Sequence, residues 1–262
     1  MPGSHFFAKH KSKITAALIL TFSSGMVDII AFLGIYPLFT AHVTGTTVHM
    51  ASNMVHGKGT EVIAGGAILL SFFWGSVLGR MIIHAGARRG FRRVATITLG
   101  IEAVLIAWVG AEGASWRHAG ATMSISPGHM YLYVALLAGA MGMQTATLTG
   151  IGALTVHTTF LTGMVNKLSQ LVSHIIVRGY DFRRGRAKTP ENLAAQSAES
   201  KYAIFIFSIW VFYVFGALGG TASYWRWGIR ALLIAVAGIL IGIATDFFRP
   251  LSIEEEQEES ER

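Results

Sequence analysis

The chain has 262 residues, of which 52% are hydrophobic and only 13% charged, about half the share of about 25% usual in soluble domains. With no cysteine, 5 prolines, 30 glycines and a mean hydropathy of +0.52, it excludes intrinsic disorder, collagen, coiled coil, disulfide scaffolds, Cys-zinc sites and thiol catalysis. What remains is an all-α polytopic membrane protein, and the net charge of +7 has to be read from where the charges lie.

A hydrocarbon core of about 30 Å takes about 20 mostly apolar helical residues. Six stretches meet this in chain order: 14–35, 62–83, 94–110, 130–150, 202–219 and 229–247. Two more, 38–55 and 154–177, are long enough but polar, and are expected as re-entrant or broken helices. Pro2, Pro37, Pro127, Pro190 and Pro250 all fall between or outside these segments, where a missing amide donor costs least. Lys9, Lys11 and Lys13 ahead of ITAALILTF have the look of a secretory leader. No small-residue cleavage site follows before Asp28, so a retained first span is expected.

Cytoplasmic loops retain Lys and Arg. The basic clusters are Lys9/Lys11/Lys13, Arg80/Arg88/Arg89/Arg92/Arg93 and Arg178/Arg183/Arg184/Arg186/Lys188. With six spans all three face the cytoplasm, as do both termini. Lys58, Arg117, Arg226 and Arg230 are then external, Lys167 lies at membrane level, and the other 16 of the 21 Lys and Arg are cytoplasmic. The basic loops are thus topology signals, and no nucleic-acid partner is expected. The division is 1–13 as a cytoplasmic segment, 14–111 as a first membrane repeat, 112–129 as an external loop, and 130–247 as a second membrane repeat. A cytoplasmic loop at 178–201 interrupts the second repeat, and 248–262 is an acidic, disordered tail.

The two halves carry matching runs in the same order. Gly25-Met26-Val27-Asp28 recurs as Gly142-Met143-Gln144-Thr145, and Thr40-Ala41-His42-Val43-Thr44-Gly45 as Thr158-Thr159-Phe160-Leu161-Thr162-Gly163. Gly75-Ser76-Val77-Leu78-Gly79 aligns loosely with Phe215-Gly216-Ala217-Leu218-Gly219. Three clear spans per half, an odd number, make the second copy inverted. That layout, with interrupted polar helices at matching places, is shared by many secondary transporters, whose sites lie near the midplane between repeats.

The runs GMVDIIAFLG…FTAHVTGTTVHMA and GMQTATLTGIGALTVHTTFLTGMVNKL resemble the YoaK-like family of bacterial inner-membrane proteins, over roughly residues 13 to 247. The resemblance implies six spans in the cytoplasmic membrane. It brings no established activity, substrate or catalytic residue. Thr145 and Thr46 depart from the asparagines expected of the pattern.

Asp28, Glu102 and Lys167 are the ionisable groups other than histidine expected at membrane depth, where an uncompensated charge costs about 2.5–3.5 kcal/mol on insertion scales. They either pair structurally or line a substrate or proton path. His42, Thr46, His49, Asn53 and His56 fall on one helical stripe, and Thr159, Thr162, Asn166, Gln170 and Ser173 on another. Both are expected to face inward, towards each other. His42 and His49 are seven residues apart, about 10.5 Å along a helix axis, so no metal site is expected. The Thr44-Gly45 and Thr162-Gly163 pairs could break their helices and expose amides to a polar solute, or merely pack closely.

Nucleotide-binding and hydrolase motifs are missing from the sequence. The expectation is a non-enzymatic small-solute permease or ion-coupled secondary transporter without a cofactor, with the lipid bilayer and an unidentified small solute or ion as partners. Homo-oligomers are compatible with it. The candidate path comprises Asp28, His42, Thr44, Gly45, His49, Asn53, Glu102, Gln144, Thr145, Thr162, Gly163, Asn166 and Lys167. The alternative is a non-transporting accessory or assembly protein whose polar stripes only hold the halves together.

Overall fold

The computed structural model describes residues 10–91, 93–113, 127–148, 150–151, 154–156, 158–185 and 189–248. Most of the expected N-terminal segment, residues 114–126 of the external loop and the tail beyond 248 lie outside the described residues. The architecture is helical: α1 (Lys11–Gly34), α2 (Val43–Val55), α3 (Gly59–Arg88), α4 (Val94–Glu112), α5 (Pro127–Thr147), α6 (Leu161–Arg183), α7 (Pro190–Trp227) and α8 (Leu232–Phe248). A minimal antiparallel pairing of Gly150–Ile151 with Leu154–Thr155 lies between α5 and α6.

Four helical stretches among the described residues are long and apolar enough to cross a membrane: Lys11–Gly34, Gly59–Arg88, Val94–Glu112 and Pro190–Phe247. The last has 58 residues, about 87 Å if straight, far beyond one bilayer core. Gly228 divides it. Its φ of 62° is a left-handed conformation that glycine adopts without a Cβ penalty. A 3-10 turn, Gly228–Ala231, then leads into α8. At the other end of α7, Thr189 accepts a bond from the Asn192 amide, with Pro190 in the first turn and Glu191 beside it, a standard helix start. This helix covers much of the segment expected as a cytoplasmic loop, because PENLAAQSAESK is rich in helix formers though poor in apolar residues.

The helix directions follow from which residues meet. A β-carbon added at Gly216 would lie 2.0 Å from the Phe22 carbonyl oxygen, and one at Gly220 3.0 Å from the Met26 Cα, so α1 and α7 run parallel. In the same way a β-carbon added at Gly75 would lie 2.1 Å from the Gly139 carbonyl oxygen and one at Gly79 3.3 Å from the Met143 Cα, so α3 and α5 run parallel. Gly25 faces the Tyr213 backbone carbonyl and Gly142 that of Phe72, each too close to leave room for a β-carbon. Gly238 meets Ser23 while Gly242 meets Leu20, which makes α8 antiparallel to α1. Asp246 bonds Thr96 while Gly110 meets Leu232, which makes α4 antiparallel to α8. Gly86 meets Val94 across the short link between α3 and α4, so α3 runs back against α4; hence α1, α4 and α7 point one way and α3, α5 and α8 the other. The two glycine crossings pair Gly75 with Gly216 and Gly79 with Gly220, one residue along from the sequence alignment of this run. Missing side chains let backbones touch here, which is how helices associate where burial from water offers no drive.

The core gathers Leu20, Met26, Ile30, Leu99, Ile106, Leu137 and Ile239. A second cluster, with Leu148, Val156, Met164, Phe205 and Ile209, lies under α6. Outward faces are apolar: Leu70, Phe73, Trp74, Leu78 and Met81 form an exposed stripe on α3, and Ile204, Phe207, Phe215 and Leu218 one on α7. Stripes of this size mark a membrane surface.

Candidate functional site

The site starts from Asp28, in the C-terminal third of α1 and 1% exposed. Pro37 follows the end of α1, and residues 36–42 form a non-helical link before α2. That link turns back onto the Asp28 carboxylate. Oδ1 accepts from the Thr40 amide (2.9 Å), the Thr40 hydroxyl (2.6 Å) and the Ala41 amide (3.1 Å). Oδ2 accepts from the Tyr213 hydroxyl on α7 at 2.6 Å. Four donors compensate the desolvation that a buried carboxylate would otherwise suffer. The Tyr213 hydroxyl also lies 3.3 Å from His42 Nε2, and that nitrogen is 3.9 Å from Asp28 Oδ2. His42 stands just before the first turn of α2, its side chain 37% exposed and packed against Phe39. A continuous chain of polar groups therefore leads from the half-exposed His42 through Tyr213 to the buried Asp28, with donors from both halves of the sequence.

The second half repeats the arrangement with neutral groups. Gln144 Nε2 donates to the Leu20 carbonyl (3.1 Å), Ser24 Oγ (2.6 Å) and Thr158 Oγ1 (3.0 Å). The Thr145 and Thr159 hydroxyls bond each other. Thr158 and Thr159 precede α6 as Thr40 and Ala41 precede α2. Each G-M-x-x run thus anchors the link leading to its own Thr-Gly helix, which explains why the two motifs occur together in both halves.

Glu102 lies on α4, fully buried, with both carboxylate oxygens lacking a hydrogen-bond partner among the described residues. The remaining expected residues sit elsewhere. Thr44, Gly45 and His49 are exposed and Asn53 half-buried on α2, which packs on α3. Thr162 and Asn166 are exposed, and Gly163 and Lys167 half-buried, on α6, which packs on α7. The Phe160 ring lies over Gly163. The inward, facing polar stripes are therefore corrected. The buried residue of α2 is Thr46 and that of α6 is Met164, and the two helices rest on different neighbours. His42 also drops out of the stripe, because the helix begins after it. Tyr213, Thr40 and Ser24 were not anticipated as partners. Thr40 lay within the repeated run, whereas a tyrosine inside an apolar span has no local signature.

Among the described residues no group of three or more His, Asp or Glu side chains could hold a metal ion. No solved structure matches the chain. It is 25% identical over 168 residues to the UPF0700 transmembrane protein YoaK of Bacillus subtilis (strain 168), covering 63% of this chain and 69% of that protein. A family model described as a protein of unknown function (DUF1275) matches residues 16–245. With nearly all of its membrane-embedded sequence matched, this chain is a membrane protein of the DUF1275 family.

Proposed function

We propose that the protein is a small-solute permease or ion-coupled secondary transporter of the bacterial inner membrane. It has six spans, both termini in the cytoplasm, and two halves of inverted topology with the solute path between them. It performs no chemistry on its solute. The observation that carries this reading is the His42–Tyr213–Asp28 chain. It joins a half-exposed imidazole to a carboxylate at membrane depth across the contact of the two halves, so any rocking of one half against the other breaks or remakes it. The opposite helix directions of corresponding elements and the matched glycine crossings support the inverted arrangement.

The experiment is a thermal-shift screen of small metabolites on detergent-purified protein, since a ligand of the folded state raises its stability. Hits are then followed as uptake into proteoliposomes under a pH gradient, for the parent and for Asp28→Asn. Asparagine keeps the size and the acceptor facing Thr40 and Ala41 but does not titrate. A folded Asp28→Asn protein without pH-dependent uptake is the expected result. The accessory-protein reading has its own support in the three donors that Oδ1 takes from a single link, a purely restraining arrangement. It predicts that Asp28→Asn lowers stability, with no uptake in either protein.

A further inference from the structure

The core of the bundle holds a set of oxygen atoms without hydrogen-bond partners among the described residues. Gly242 lies against Leu20 (3.3 Å to Cδ2 from an added β-carbon) and Leu99 (3.9 Å to Cδ1), so these residues of α8, α1 and α4 share one layer. One turn further, along α1 and α4 and back along the antiparallel α8, come Ser23, Glu102 and Gly238. Gly238 and Ser23 indeed touch, with an added β-carbon only 2.3 Å from Ser23 Oγ. The amide of Gln144 on α5 is tied to the Leu20 carbonyl and Ser24 Oγ at the same depth. Ser23 Oγ, Gln144 Oε1 and both oxygens of Glu102 are buried and make no hydrogen bond within the described residues.

With Glu102 ionised, three of these four atoms can only accept, and the fourth is a hydroxyl able to do so. Unmade bonds at buried polar atoms are costly, and an ionised carboxylate at membrane depth more so. Oxygen-only donor sets suit hard cations, and a single carboxylate balances one positive charge. We propose that Glu102, Gln144 and Ser23 form a binding site for an alkali-metal cation in the core between α1, α4 and α5. The site is separate from Asp28, whose oxygens are filled by Thr40, Ala41 and Tyr213. Gly238 is the fourth wall, where any side chain would take the room of the Ser23 hydroxyl. Binding at this site does not depend on the transport reading. Only its use as a coupling ion does.

The test is thermal unfolding of the detergent-purified full chain in NaCl, KCl or N-methyl-D-glucamine chloride titrations at constant ionic strength and pH. The expected result is a saturable rise in Tm with Na+ or K+ over N-methyl-D-glucamine. Glu102→Gln should abolish it. Ser23→Ala removes an atom that makes no bond, so the fold is kept, and the cation midpoint should move to roughly tenfold higher concentration. Ser23→Ala therefore decides the matter if Glu102→Gln does not fold. Equal Tm values in all three salts overturn the proposal, as does an alkali shift that Ser23→Ala leaves at the parental midpoint. Failed uptake assays with a retained, Glu102-dependent cation shift would sink the transport reading and leave the site standing.

Discussion

Replacing Gly216 with alanine places a β-carbon 2.0 Å from the Phe22 carbonyl oxygen, where real β-carbons essentially never come within 3.0 Å. The obstacle is backbone, so no rotamer change relieves it, and α7 has to move away from α1 by about 1 Å. The move also disturbs the Tyr213–Asp28 bond one turn away. Overpacking of this kind costs about 1–3 kcal/mol, against a gain of about 0.5–1 kcal/mol for alanine over glycine inside a helix. The net expectation is a loss of about 1 kcal/mol. Gly45 in α2 supplies the control, because an added β-carbon there has nothing within 4 Å, leaving only the helix-forming gain. Reversible unfolding in mixed micelles, followed by circular dichroism, measures both. Gly75→Ala, at the corresponding crossing of α3 with α5, should behave like Gly216→Ala. If Gly216→Ala proves as stable as the parent, or no less stable than Gly45→Ala, the close crossing does not hold these helices together.

Two further outcomes follow from geometry already described. Asp246 Oδ2 accepts from the Thr96 amide (2.9 Å) and hydroxyl (2.7 Å) in the first turn of α4. Asp246→Ala should therefore cost about 1.5–3 kcal/mol, read in the same unfolding assay; an unchanged stability would deny the cap any role. The chain contains no cysteine, so Phe91→Cys, exposed between α3 and α4, reports orientation cleanly. Protection from an impermeant maleimide in intact cells is expected, and labelling from outside would reject the six-span arrangement with a cytoplasmic N-terminus.

Much of the helical plan was legible because hydrocarbon-length apolar runs have few alternatives. The cores of α1, α3, α4 and α8 lie where hydropathy placed them. Hydropathy sees only the part of a helix that suits lipid, however, so it started α7 at residue 202 and missed the Thr189-capped turns from Pro190. It also set the polar segment 38–55, expected as a re-entrant or broken helix, to begin before the link into which Asp28 draws residues 40 and 41, whereas the helix starts at Val43. The helical spacing of His49 and Asn53 marked a shared face, but periodicity carries no information about what that face meets. Asp28 and Glu102 were found as charges in apolar surroundings. Their neighbours were harder. Tyr213 reaches Asp28 from 185 residues away, and Ser23 looked like one more small residue in a Ser-Ser-Gly run.

The glycine crossings also set a timetable for biogenesis. The glycines of α1 dock on α7, so the first span enters the membrane with its docking face open until its partner has been made. The separation of 185 residues between Asp28 and Tyr213, at about 5–20 residues per second, is a wait of about 10–40 s. Throughout it Asp28 has only the Thr40–Ala41 link as its donors, while α3 and α5 meet much sooner. A nascent chain arrested before residue 213 therefore holds an incompletely satisfied carboxylate in lipid and a groove of bare backbone. The seating of α7 is the event that supplies the missing Tyr213 donor and closes the groove.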